Sequence, residues 1–427
     1  MGVSHLHTPR LNNISVYDPK VYGNGIVNFI GIDSADAVKF IPAGRHTMST
    51  ICPLNNNAHN KIIGAGRMWD GFYGFFSSTP TGTAEGFTQL VFTASSGADI
   101  FEDATPDAGY YNALTIRDLQ ISVDDMAQNN PVFNLIREEY VELCGIGLDT
   151  YNSTLHTGYI AYITGSAKVD IIDVDVFGFC ESSSANEDAM FWIRQAEMLN
   201  IDRLHVNGQS AKHYPTAEIR LDEVSMANIN DSYFNYIGNV NKSTVLVQMD
   251  AGLTTDYKYV CNINNLRLGT MSFTTSQTGL FSATDAKAEI VIQGIYTGFA
   301  TTSNRIRMNN NSYVGALLIR GDVCGTTAST KVPYGKKDSP FDTTNNLISP
   351  SPSGAASATA PVASTNYVCE LRNANLIARG GAGVVVTHSG IAEYYDTSGI
   401  SYHLNVGETI SFGPFSTAPT VSVYFER

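Results

Sequence analysis

The segment Leu114-Thr115-Ile116-Arg117-Asp118-Leu119-Gln120-Ile121 decides how the chain is read, because it recurs. It returns as Glu142-Leu143-Cys144-Gly145-Ile146-Gly147-Leu148 and as Asp170-Ile171-Ile172-Asp173-Val174-Asp175-Val176. Asn200-Ile201-Asp202-Arg203-Leu204-His205-Val206 and Asn228-Ile229-Asn230-Asp231-Ser232-Tyr233-Phe234 follow the same plan. So do Asn262-Ile263-Asn264-Asn265-Leu266-Arg267-Leu268 and two shorter copies centred on Ile292 and Ile319. The anchors Ile116, Leu143, Ile171, Ile201, Ile229, Ile263, Ile292 and Ile319 are spaced by 27, 28, 30, 28, 34, 29 and 27 residues. A steady repeat of this length marks a solenoid, in which each copy buries its apolar face against its neighbours.

A second apolar strand precedes each anchor, as in Phe191-Trp192-Ile193, Ile219-Arg220-Leu221, Val245-Leu246-Val247-Gln248-Met249 and Leu280-Phe281-Ser282. These runs are short, alternate with period two and are divided by Gly, Asn and Asp, and no long stretch keeps a helical period. The expected fold is all-β: a right-handed parallel β-helix of about 29 residues per coil with two or three strands per turn. Asn200, Asn228 and Asn262 share one repeat position. They are expected to hydrogen-bond along the coil and to tolerate the left-handed backbone of tight corners.

Composition agrees with a solenoid and excludes several functions. The chain has 427 residues, of which 15% are charged and 43% hydrophobic, so polarity rests on uncharged groups, among them 34 Asn. With 26 basic against 40 acidic side chains the formal charge is −14, which argues against a nucleic-acid partner. No apolar run is long enough to insert into a membrane. No basic segment followed by an apolar run opens the chain, so synthesis without a signal peptide is expected. Six scattered cysteines without a CxxC pair read as reduced thiols. HExxH, GxSxG and P-loop spacings are absent, and no cofactor or metal is expected.

The period stops after Cys324, and 325–366 are a Ser/Thr/Pro/Ala-rich linker. Strand-like runs resume at Tyr367–Leu371, Val384–His388, Ile391–Tyr395, Thr409–Phe412 and Thr420–Phe425. Residues 367–427 therefore form a small antiparallel β-domain, too small to make a large core alone and suited to oligomerisation. Residues 1–23 are left as an N-terminal attachment segment, and 24–324 as the β-helix.

Upstream, Lys39-Phe40-Ile41-Pro42-Ala43-Gly44-Arg45-His46 precedes Lys61-Ile62-Ile63-Gly64-Ala65-Gly66. These segments resemble the opening of pectate-lyase-like β-helices, where an apolar–Pro–x–Gly strand is followed one coil later by an apolar–x–Gly–x–Gly turn. The family's acidic segment with its capping helix is replaced here by Gly25-Ile26-Val27-Asn28-Phe29-Ile30-Gly31-Ile32-Asp33. With its reduced cysteines and uncharged polar surface, the chain looks most like a bacteriophage tailspike over residues 24–324. That resemblance implies a homotrimeric virion component, made in the host cytoplasm and joined to the phage tail or baseplate by its N-terminus. It further implies recognition and degradation of a bacterial surface polysaccharide (capsule, O-antigen or exopolysaccharide) by a glycoside hydrolase. The alternatives are a polysaccharide lyase and a spike of the same fold that only binds.

On a β-helix, chemistry is carried by columns of outward side chains, one per coil at about the 4.8 Å strand spacing. One column reads Gln120, Gly147, Asp175, His205, Tyr233, Arg267, Tyr296, and a second Arg137, Thr164, Arg194, Asp222, Asp250, Asp285, Asn309. Asp222 and Asp250 on adjacent rungs are the first choice of catalytic carboxylates, about 5 Å apart as a retaining glycosidase requires. Two acids so close do not both ionise freely, so one should rise towards a general acid's range, with Arg194 holding the other ionised. A lyase would use the first column instead, with His205 or Tyr233 as base and Arg267 against a uronate. Asp175 suits either scheme. Arg194, His205, Tyr233, Arg267 and Tyr296 are the expected substrate-binding residues. Each also has a plainer reading, since acids past a strand commonly cap turns and tyrosines commonly cover sheets.

Overall fold

A computed structural model describes residues 14–22, 25–31, 38–48, 50, 52–54, 60–67, 86–92, 100–103, 113–123, 131–136, 139–150, 159–178, 189–208, 215–235, 237, 244–250, 259–271, 279–284, 288–297, 316–325, 366–368, 374–388, 390–394, 399–405 and 408–425. The linker expected at 325–366 lies almost wholly outside them, as do Arg137, Asp285 and Asn309.

Parallel pairing builds a solenoid with three strand ladders per coil. In the first ladder every anchor falls in one column. Ile62 pairs with Ile116, and the register then runs through Leu143, Ile171, Ile201, Ile229, Ile263, Ile292 and Ile319. Side chains alternate across each strand, so the column from Ile62 to Ile292 points inward and is buried. A third ladder is made by the upstream strands, through Cys52, Phe101, Phe133, Ala161, Phe191, Ile219, Val247 and Phe281. Phe101 and Phe133 stack at 5.4 Å in that column. One continuous apolar core runs up the inside of all three ladders.

A backbone device set by sequence position makes the bend from the first ladder into the second. Asp118, Gly145, Asp173, Arg203, Asp231, Asn265 and Gly294 all have positive φ, and they recur at the repeat spacing. A left-handed residue turns the strand within one position, at a cost of about 1–2 kcal/mol unless it is Gly, and Asp and Asn bear it best. Gly165, Gln195 and Glu223 do the same between the third ladder and the first. The asparagines expected at such corners sit elsewhere. Asn200, Asn228 and Asn262 lie in extended strand three positions before the corner, where period two turns their amides outward.

Those amides do bond along the coil. Asn262 Nδ2 donates to Asn228 Oδ1 (3.2 Å), Asn228 Nδ2 to Asn200 Oδ1 (3.0 Å) and Asn200 Nδ2 to Asp170 Oδ1 (2.8 Å). Tyr140 and Lys168 donate to the other oxygen of Asp170. Burial pushes the Asp170 carboxyl up, but these donors outweigh it and hold the group below the usual carboxylate range.

At the N-terminal end, the strand Ile14–Val16 pairs with residues 38–40 and extends the first ladder. The Gly25–Asp33 stretch supplies a helix after all: Ile26–Gly31, with Ile26, Phe29 and Ile30 buried in the solenoid core. Lys39, the inward residue of its strand, is also buried and donates its ammonium to the carbonyl of Ile30, satisfying a helix C-terminus.

The C-terminal residues form a four-stranded and a three-stranded antiparallel sheet sharing one small core that includes Leu376, Val386, Leu404, Ile410 and Phe412. Two of the seven strands, Ala374–Arg379 and Ile400–Leu404, were not evident from the sequence. Among the described residues no helix is long and apolar enough to cross a membrane.

Candidate functional site

The second ladder starts just past the left-handed corner, and its outward column is the one expected from sequence. Gln120, Gly147, Asp175, His205, Tyr233, Arg267 and Tyr296 are consecutive register partners. Asp175 Oδ1 lies 3.4 Å from His205 Nδ1, and its other oxygen pairs with Arg67 at 2.7 Å. Arg67 is nearly buried; it also reaches Asp173 at 3.1 Å and donates to the carbonyl of Ile146. The imidazole of His205 lies 5.0 Å from the Tyr233 ring, centroid to centroid, and its Nε2 is buried without a hydrogen-bond partner. Arg267 is exposed and Tyr296 is 45% exposed.

The first rungs of the same column have a different character. Gln89, Gln120, Ser122 and Asp149 are buried together; Gln89 donates to Ser122, and Ser122 to Asp149. Gly147 leaves the space that the Gln120 amide fills, since a Cβ there would lie 1.9 Å from its oxygen. Burial pushes the Asp149 carboxyl up against the opposing effect of its donors.

The second column lies at the end of the third ladder and needs correction at both ends. Thr164 pairs with Ile136, one residue before the expected Arg137. Beyond Asp250 stands Thr284 rather than Asp285, because Met249 pairs with Ala283 and Thr284 Oγ1 donates to Asp250 Oδ1 at 2.7 Å. A constant offset of seven residues before the anchor leads to Asp285, but the same offset gives Ile136 rather than Arg137. The centre of the column stands: Thr164, Arg194, Asp222 and Asp250 are successive partners.

Around Asp222 and Asp250 the structure assembles residues the sequence reading passed over. Arg220 donates Nε to Asp222 Oδ1 (3.0 Å) and places NH2 3.2 Å from Asp250 Oδ2, so one guanidinium bridges both acids. Trp192 donates Nε1 to Asp222 Oδ2 at 2.7 Å, and Gln248 donates to Asp250 at 2.7 Å. The Arg220 guanidinium carbon lies 4.5 Å from the Trp192 ring centroid, and Tyr162 meets that ring edge-on at 5.2 Å. The expected partner, Arg194, has Tyr162 as its chief partner and feels Asp222 only through its charge, so the direct contacts to the pair come from Arg220. Burial, chiefly, pushes the Asp222 carboxyl up, opposed by Arg220 and Trp192 and helped by the charge of Asp250. Arg220 and Gln248 stand two residues before Asp222 and Asp250, and Trp192 is the register partner of Arg220. Strand parity was the available signal for all three.

Between the two columns runs the first ladder, whose outward surface is the Asp170–Asn200–Asn228–Asn262 amide row. Fold and surface together define a parallel β-solenoid with an extended, mostly uncharged polar face, edged on one side by Trp192, Arg220 and paired acids and on the other by His205, Tyr233 and Arg267. Among the described residues no three His, Cys, Asp or Glu side chains converge as a metal site.

No protein-family model and no curated protein matches the chain. Among solved structures it is similar to the tailspike protein of Acinetobacter phage vB_ApiP_P1, with 11% identity and a TM-score of 0.37 over 91% of this chain and 80% of that one. The enzymatically active domain of tailspike protein 4 of bacteriophage CBA120 gives 10% identity and a TM-score of 0.30, over 98% and 67% of the two chains. Tailspike gp49 of Acinetobacter baumannii bacteriophage Fri1, a capsular polysaccharide depolymerase, gives 11% and 0.20 over 91% and 79%. Likenesses this distant decide nothing about activity, which must be read from the chain's own surface.

Proposed function

We propose that this protein is a phage tailspike that recognises and degrades a bacterial surface polysaccharide, acting as a glycoside hydrolase through Asp222 and Asp250. The observation that carries the reading is the in-register acid pair, bridged by one arginine and bordered by Trp192 and Tyr162. Aromatic rings beside carboxylates suit a pyranose, whose apolar face stacks while its hydroxyls bond. Asp222, pushed up by burial, fits the general acid. Asp250, with Thr284, Gln248 and Arg220 all donating to it, fits the nucleophile or base.

One observation favours a second reading, a lyase on the other column. His205 offers a ring nitrogen without a partner while Asp175, anchored by Arg67, fixes the opposite nitrogen. Incubation with purified surface polysaccharides separates the two: a hydrolase releases reducing ends alone, whereas a lyase also generates absorbance near the ultraviolet maximum of an unsaturated sugar. Asp222→Asn and Asp250→Asn should each abolish hydrolysis, while His205→Ala and Tyr233→Phe should spare it. Two Asn variants that cleave at the wild-type rate would sink the carboxylate assignment.

In this reading residues 1–23 join the phage tail or baseplate, 24–324 present the polysaccharide face, and 367–427 hold three chains together. Light scattering should then give a mass three times the chain's 46.2 kDa; a stable monomer would refute the trimer.

A further inference from the structure

We propose that Tyr233, Arg267 and Tyr296 form a subsite for a carboxylated sugar, so that the polysaccharide bound is an acidic one. This rests on the reading of the chain as polysaccharide-binding and adds the charge class of the ligand. The argument begins with where the arginines go. In a chain with 40 acidic against 26 basic side chains, a guanidinium readily finds a carboxylate. On the solenoid Arg67 is held by Asp173 and Asp175, Arg117 by Glu142, Arg203 by Asp202 and Asp173, and Arg220 by Asp222 and Asp250. Arg194 bonds Tyr162. Arg267 is exposed, and among the described residues it has neither an ion pair nor a ring contact.

Its position favours a ligand over idle exposure. Arg267 is flanked in register by Tyr233 on one rung and Tyr296 on the next, at about the 4.8 Å strand spacing. Gly269, two residues on, leaves the room that the Tyr233 hydroxyl and the Asn235 amide fill: a Cβ there would lie 2.7 Å from the Tyr233 hydroxyl and 2.3 Å from Asn235 Oδ1. The Tyr233 hydroxyl therefore lies over the rung that carries Arg267. Two phenol rings along the coil axis with a free guanidinium between them match a sugar chain whose rings lie on the tyrosines and whose carboxylate takes the planar fork of the arginine. A neutral glycan would leave that fork unused. A polyanion approaching a protein of charge −14 needs such a local cation to be held.

The test uses the full chain and a panel of purified bacterial surface polysaccharides, half carboxylated and half neutral, with binding measured by interferometry. The tightest binder is then carboxyl-reduced, which converts each uronate to a neutral hexose on the same backbone. Reduction should weaken binding to the wild-type chain at least about tenfold, the scale of one charge-assisted hydrogen bond. Arg267→Gln should lose as much on the native polymer and nothing further on the reduced one. Arg267→Lys should fall between, and Arg117→Gln, on the first ladder, should bind as wild type. An unchanged urea midpoint for Arg267→Gln keeps a folding defect from mimicking the result. A neutral tightest binder, equal affinity before and after reduction, or an Arg267→Gln chain that binds normally would each overturn the subsite while leaving polysaccharide binding standing. Binding to no polymer in the panel would instead overturn the parent reading and the subsite with it.

Discussion

Replacing Arg220 by Met removes the cation that bridges Asp222 and Asp250 while keeping most of its apolar length over Trp192. Two carboxylates on adjacent rungs, about 5 Å apart at an effective dielectric of about 20, repel by about 3 kcal/mol. In the native chain the guanidinium, 3.0 Å from one acid and 3.2 Å from the other, offsets that repulsion. The three side chains are only 13–22% exposed, so water screens little of it. Loss of the cation–π contact adds roughly 0.5–1 kcal/mol. The expected destabilisation at neutral pH is therefore about 4 kcal/mol, close to what removing one member of a buried ion pair costs.

The pH dependence carries the sign. Asp222 is already pushed up by burial, and without Arg220 it rises further. A folded-state carboxyl raised above its unfolded value adds stability below the ordinary aspartate range and loses it as pH rises through the raised value. The gap between wild type and Arg220→Met should thus be widest at neutral pH and close in acid. Urea unfolding followed by circular dichroism at pH 7.5, 5.5 and 4 measures it. Adding Asp222→Asn to Arg220→Met should restore most of the loss, since one neutral partner ends the repulsion. A gap below about 0.5 kcal/mol at pH 7.5, or one that does not narrow in acid, would show that Arg220 does not bind the pair together.

Two further perturbations follow from the same geometry. Asn228→Ala removes two inter-rung hydrogen bonds and should cost about 2 kcal/mol, whereas Asn262→Ala, at the end of the row, removes one and should cost about 1 kcal/mol; wild-type urea midpoints for both variants would mean the row contributes nothing. Asp149→Asn should raise the unfolding temperature at neutral pH and not in acid, because burial pushes the native carboxyl up and its charged form weakens the fold as pH rises; a lower unfolding temperature at neutral pH alone would show that the charge is needed by Ser122 and Gln120.

What the sequence made legible is what repeats along it. Register follows from the anchor column, since a one-residue slip would turn every Ile from the core to solvent, and so the second-ladder column from Gln120 to Tyr296 could be written out before any coordinates. The third-ladder column failed at its two ends differently: Ile136 stands seven residues before Leu143, as Thr164, Arg194 and Asp222 stand before their anchors, so a constant offset favours it over Arg137, whereas Asp285 keeps that offset from Ile292 but the column takes Thr284. Corners were misplaced for another reason. Composition points to Asn as the residue for a left-handed bend, yet the bend is fixed by rung position, and Arg203 adopts it where its neighbours in the column use Asp, Asn or Gly. The site was half visible. Parity within a strand, applied to Asp222 and Asp250, would have brought in Arg220 and Gln248, the outward residues two positions before them. No linear rule yields Arg67, which crosses more than a hundred positions to hold Asp173 and Asp175. The local pattern therefore names the columns, while the donors that decide each acid's charge must be found in space. That is why Asp222 and Asp250, chosen for proximity to each other, turn out to be bridged by Arg220, with Trp192 donating to Asp222, and why burial, opposed by those two donors, sets the direction in which the Asp222 carboxyl shifts.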